Sequence, residues 1–181
     1  MVGSFLRFAV AAAFSALLAG CSTTENVFPQ TTADRGGSIT VPDKPISCVP
    51  YARDHSGVNL HGDAYTWWKQ AAGHFRRSAS PSDGAVMVLT GYSGPGHAHL
   101  AVVREVVSTR EIRVDHANWL NNGMIYLNNP IADVSPGNDW SLVLVWNLET
   151  HAWGTHPYNV QGFIGPDRGQ DRVAGIGQGD E

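Results

Sequence analysis

Cysteine is scarce in this chain. There are two, Cys21 and Cys48, too few for a disulfide framework. Positive charge is also scarce: 12 Lys and Arg stand against 16 Asp and Glu, for a formal net charge of −4. That balance excludes the strongly basic footprint of a nucleic-acid binder. Charged residues make up only 15% of the chain and hydrophobic ones 43%, which suits a packed core and argues against a disordered polymer. No internal repeat or low-complexity tract breaks up the middle of the chain. The 181 residues suffice for one ordinary domain. Histidine and tryptophan are plentiful, at eight and six.

The longest apolar run, Phe8 to Leu18, is about half of the roughly 20 residues that a membrane-crossing helix needs. With Arg7 ahead of it and small residues closing it, the segment 1–20 has the layout of a secretory signal. The ending Leu17-Leu18-Ala19-Gly20-Cys21 resembles the lipobox of bacterial lipoproteins. That resemblance implies cleavage before Cys21, a lipid on its sulfur, and a membrane partner reached through that anchor. It also implies a cell-envelope address. Ser22, where an inner-membrane retention signal would have Asp, favours the outer membrane of a Gram-negative cell, facing the periplasm. Cys48 is then the one free thiol.

Residues 21–44 are polar, aperiodic and rich in Ser, Thr, Asn, Gln, Gly and Pro, and read as a tether. Residues 167–181, rich in Gly and Asp, read as a disordered tail. The folded unit is expected over 45–166. Ser47 is placed to cap a first helix with Pro50 in its opening turn. A second helix is predicted from about Asp63 to Ala72, ended by Gly73, with Ala64, Trp67, Trp68 and Ala71 on its core face. Strands are predicted at 85–90, 99–107, 111–118 and 141–146, with a short one near 160–164. Helices first and an antiparallel sheet after them is an α+β layout.

The chemistry concentrates on one thiol and a few imidazoles. Cys48 opens the first predicted helix, where unpaired N–H groups and the helix dipole are expected to lower its pKa. A nucleophilic thiol needs a base and a group to orient that base. In Gly94-Pro95-Gly96-His97-Ala98-His99-Leu100, a glycine-rich turn delivers imidazoles to the start of a buried strand. His55, His61 and His74 sit in polar surroundings and read as surface residues. Along Ile112 to Asn118, strand alternation puts Ile112, Val114, His116 and Asn118 on one face, with Arg113 and Asp115 on the other and able to pair with each other. A rival reading takes His97, His99, His116 and Asp115 as a zinc site, which leaves Cys48 without a role.

The region from Cys48 to about Trp146 resembles a CHAP domain, the cysteine- and histidine-dependent amidohydrolase/peptidase family. The resemblance rests on Ser47-Cys-Val-Pro-Tyr-Ala-Arg53, Gly62-Asp-Ala64, Pro81-Ser-Asp-Gly-Ala-Val86, Gly96 to Val103, Ile112 to Trp119, and Asp133 to Trp140. It implies a papain-like (CHAP/NlpC-like) α+β fold, short N-terminal helices packed on an antiparallel sheet, and hydrolysis of peptidoglycan amide bonds. The bond is N-acetylmuramoyl-L-alanine or one within the stem peptide, and no cofactor or metal is called for. The family's nucleophile falls on Cys48 and its base on His99, followed by Leu-Ala-Val-Val, which fits better than His97. The third catalytic role is shared between His116 and Asn118: His116 stands where many members have an acid, and related NlpC-like peptidases use a second His. Ser47 stands where many members have a Gln that donates to the oxyanion. These departures keep open a catalytically inactive, envelope-binding variant of the same fold.

Overall fold

The computed structural model describes residues 35–167. Cys21, expected to be lipidated, the expected signal segment, most of the expected tether and the residues after 167 lie outside the described residues. Nine strands and two helices follow in the order β1 (Ser38–Thr40), α1 (Cys48–His55), α2 (Ala64–Gln70), β2 (Phe75–Ser78), β3 (Val86–Thr90), β4 (Ala98–Ser108), β5 (Glu111–Ala117), β6 (Ile125–Asp133), β7 (Leu142–Asn147), β8 (Ala152–Trp153) and β9 (Tyr158–Asp167). No helix among the described residues is long and apolar enough to cross a membrane.

The α+β, papain-like expectation is corrected here. The described residues are mostly β, with 42% in strands and 11% in helices, and six antiparallel strands close into a barrel. Around the ring, β3, β4, β5, β6, β7 and β9 pair in turn, and β9 returns to β3. Closure depends on β6, which pairs with β5 through Ile112↔Ile131 and with β7 through Ile131↔Val145. The sequence reading lacked this strand. Its Leu127-Asn-Asn-Pro130 stretch carries the residues most depleted in strands, and Asn128 takes a left-handed φ of 54°. The apolar partners supplied by β5 and β7 outweigh that poor local propensity.

Two clusters fill the molecule. Met87, Leu89, Ala101, Val103, Ile112, Val114, Trp140, Val143 and Phe163 belong to the barrel core. Val86, Val88, Leu100 and Val102 pack outward with Ala52, Val58, Ala64, Trp67 and Ala71 of the helical side. Alternate residues of β3 therefore serve opposite layers, so the run Val86-Met-Val-Leu89 is apolar throughout rather than at every second residue. Trp67 is a core residue, as helical spacing predicts, whereas Trp68 is half-buried under the Arg77 guanidinium.

Other elements fall close to their expected bounds, with instructive differences. Ser47 precedes α1, but its side chain makes no capping hydrogen bond. Only its carbonyl accepts, from Tyr51 N–H at 3.2 Å. Ser38–Thr40, inside the expected tether, forms a strand on β6. Arg35 joins it to the barrel through an ion pair with Glu111 at 2.9 Å. The Asp133–Trp140 motif builds the turn from β6 to β7: buried Asp133 accepts from Ser135 N–H at 2.8 Å, and Arg110 lies 3.6 Å from its carboxylate.

Candidate functional site

Helix α1 packs across β4 and β5, which sets its first residue, Cys48, beside the start of β4. Pro50 lies in the first turn, where no intrahelical donor is lost. The Cys48 side chain is partly buried against the helical core. Backbone N–H groups of Leu100, Cys48 and Val49 favour its thiolate, but burial opposes them more strongly and raises the thiol above 9.0. The sequence expectation of a lowered thiol pKa is thereby reversed. The helix-start N–H groups act as foreseen, and the apolar packing around the sulfur outweighs them.

His99 stands one residue before Leu100 on β4, opposite Leu89 of β3. It is 1% exposed, as is His116 on β5. The two rings meet edge to face, with His99 Nε2 and His116 Nδ1 2.9 Å apart. Beyond them, His116 Nε2 lies 3.0 Å from Nδ2 of Asn129, a fully buried side chain on β6. Burial, reinforced by His116, pushes His99 well below its usual 6.5. Burial alone takes His116 to about 3. Both imidazoles are therefore neutral around pH 7. With Nε2 engaged, Nδ1 is the His99 nitrogen not committed to His116.

An aromatic wall holds this pair. Trp119 meets His99 edge-on at 4.8 Å and His116 at 5.5 Å, and Tyr92 lies 5.0 Å from His99. Tyr126 closes the far side of His116 at 5.7 Å. The Tyr92 hydroxyl donates to Asn118 O and accepts from Leu120 N–H, both at 2.9 Å. It thus ties the wall to the loop after β5.

Asn118 behaves differently from its expected role. Strand β5 ends at Ala117, and Asn118 has a φ of 60°, so its side chain leaves the face shared by Ile112, Val114 and His116. Its Oδ1 accepts from Gly123 N–H at 2.9 Å, and its backbone N–H donates to Met124 O. Asn118 closes a loop and does not touch the imidazole pair through any described hydrogen bond. Asp115 points away from the site, as alternation predicts, but it pairs with Arg104 at 2.5 Å and not with Arg113, which pairs with Glu111. His97 is exposed at the turn before β4. No group of three His, Cys, Asp or Glu side chains among the described residues is placed to hold a metal ion, so the zinc reading has no geometry behind it.

Two depressions flank the site. One, of about 410 Å³ and open to solvent, is lined by Pro45, Ile46, Ser47, Asn118, Asn122 and Gly123, immediately before Cys48. The other, of about 210 Å³, lies on the far side of Trp119 and is lined by Tyr126, Glu149, His156 and Tyr158 among others. Sequence reasoning named Cys48, His99 and His116 but missed Tyr92 and Asn129. Tyr92 is visible only as an aromatic two residues from Gly94. Asn129 sits in the strand whose composition concealed it.

The site thus combines a partly buried thiol at a helix start with a buried imidazole pair on two neighbouring strands. The family model for the CHAP domain matches residues 40–118 of the chain. The matched segment contains Cys48, His99, His116 and Asn118, and it ends before Asn129. CHAP domains are generally hydrolase domains, and the match suggests amidase or peptidase activity related to peptidoglycan. No curated protein matches the chain.

Proposed function

We propose that the protein is a thiol-dependent hydrolase that cleaves peptidoglycan amide bonds in cell-wall remodelling. Cys48 is the nucleophile, His99 the general base, and His116 the residue that positions His99. The observation that carries this reading is the contact of His99 Nε2 with His116 Nδ1 in a water-poor setting, which leaves one His99 nitrogen for the thiol.

Because burial keeps thiol and imidazole neutral at rest, proton transfer accompanies attack. His99 Nδ1 takes the thiol proton as Cys48 Sγ bonds to the amide carbonyl carbon. The Cys48 backbone N–H, free at the helix start, donates to the oxyanion. Collapse breaks the C–N bond, the imidazolium returns its proton to the leaving amine, and a thioester remains. A water that loses its proton to His99 then hydrolyses the thioester and restores the thiol. The substrate is the N-acetylmuramoyl-L-alanine bond or a bond within the stem peptide. Lipidation at Cys21 would hold the enzyme at the cell envelope, at the outer membrane if the cell is Gram-negative. Absence of lipid labelling on Cys21 would refute that address.

The test is release of muropeptides from purified cell walls, with Cys48→Ala and His99→Ala beside the parent and circular dichroism as a check on folding. Both variants should lose essentially all release. Undiminished release by folded Cys48→Ala would overturn the reading. No release by the parent would favour the catalytically inactive, wall-binding alternative.

A further inference from the structure

We propose that Asn129 is a positioning residue, a fourth member of the Cys48–His99–His116 line, whose amide decides which way the hydrogen bonds of that line run. The inference rests on the thiol–imidazole reading above and concerns a residue outside the matched CHAP segment.

The chain of donors and acceptors has only two self-consistent polarities. As the amide stands, Asn129 Nδ2 faces His116 Nε2 at 3.0 Å, and an amide nitrogen can only donate. His116 then carries its proton on Nδ1 and donates it to His99 Nε2 at 2.9 Å. A neutral His99 in that arrangement holds its own proton on Nδ1, where it cannot take one from Cys48. This polarity is idle. Turning the amide over brings Oδ1 to His116 Nε2–H. His116 Nδ1 then accepts from His99 Nε2–H, and His99 Nδ1 is free for the thiol proton. The same polarity supports the imidazolium that forms next.

Nothing locks the amide in the idle state. Asn129 Oδ1 is buried and has no hydrogen-bond partner, so the far end of the side chain is unanchored and His116 is the one group that senses its orientation. A buried polar atom left unpaired in a protein core calls for an explanation. Here the unpaired Oδ1 leaves the amide able to reverse without breaking a hydrogen bond at its far end. The titratable side chains that pack on the imidazole pair are Tyr92 from the turn after β3 and Tyr126 from β6; Cys48 acts electrostatically on Tyr92, and Glu149 on Tyr126. The two tyrosines are neutral near pH 7 and Glu149 acts on Tyr126, so besides His99 the amide is the group that bonds His116 directly.

The test uses the purified full chain and two variants. Asn129→Asp can only accept and holds the productive polarity. Asn129→Leu fills the space and sets neither. Nitrogen-15 NMR of the His116 ring should show the proton on Nδ1 in the parent and on Nε2 in Asn129→Asp. In Asn129→Leu, kcat should fall about 10- to 100-fold with KM little changed, the size typical of a supporting hydrogen bond one step behind the reacting group. Asn129→Asp should stay within about tenfold of the parent, with the acid limb of its pH profile moved upward, because a carboxylate beside His116 raises the imidazole pKa values. One His116 tautomer common to all three proteins would overturn the proposal, as would kcat for folded Asn129→Leu within about twofold of the parent. The tautomer readout needs no turnover, so it stands even if Cys48→Ala shows that the thiol reading itself fails.

Discussion

Gly123 offers the sharpest test of how the loop after β5 supports the segment that leads into Cys48. Its φ of 87° lies in the left-handed region, and a Cβ there would fall 2.6 Å from Pro45 Cβ and 2.9 Å from Ile46 N. Gly84 is the natural control: its φ is 78°, but a Cβ would meet nothing within 4 Å. Gly84→Ala should therefore cost only the backbone penalty, about 1–2 kcal/mol. Gly123→Ala adds the displacement of rigid Pro45 and backbone atoms, an overpacking cost of about 1–3 kcal/mol more. For a domain of this size each kcal/mol lowers Tm by about 2–4 °C, so the two variants should separate by several degrees. The consequence reaches the site, because Ile46 N–H donates to Gly123 O and Ser47 leads directly into Cys48. Muropeptide release should fall in Gly123→Ala and remain near the parent's in Gly84→Ala. Thermal melts and release assays on both variants decide the matter. Equal destabilisation, or a Gly123→Ala enzyme as active as Gly84→Ala, would refute the idea that this loop braces the segment before Cys48.

Alkylation of Cys48 by iodoacetamide should rise about tenfold per pH unit between pH 6 and 8, since burial holds the thiol above 9.0 and little thiolate exists there. A fast plateau across that range would mean a preformed thiolate. The neutral histidines also make folding pH-dependent. Both have folded pKa values below 6.5, so the unfolded chain binds more protons, and their contribution to stability is complete above 6.5 and lost as pH falls toward the folded values. Urea unfolding at pH 7, 6 and 5 should show a loss approaching about 1.4 kcal/mol per pH unit for each histidine, and a flat profile would contradict neutral burial. His97→Ala should retain most activity because the ring is exposed, whereas His99→Ala should not; the reverse order, read in the release assay, would move the base role from His99 to His97, two residues earlier. Asp115→Asn should leave release nearly intact and cost about 1 kcal/mol in urea unfolding, because it weakens the partly buried pair with Arg104 while Oδ1 can still accept from Asn128 N–H.

What could be read from the sequence was what local chemistry records. Cys48 at a helix start, the glycine turn before His99 and the apolar run Val86–Leu89 each announce themselves within a few residues. So does the orientation of Asp115, because strand alternation needs only its neighbours. Tertiary structure decided the rest. The barrel closes through β6, a strand rich in Asn and carrying Pro130, whose pairing is held by apolar residues of β5 and β7 far along the chain. The thiol pKa turned on how much apolar surface surrounds the sulfur, which no helix-start rule can report. Alternation placed Asn118 beside His116, but the left-handed turn at the end of β5 sent its side chain to Gly123, while Asn129 reached His116 from the neighbouring strand. Residues that act on one another across strands are brought together by register, and register is a property of the closed sheet as a whole.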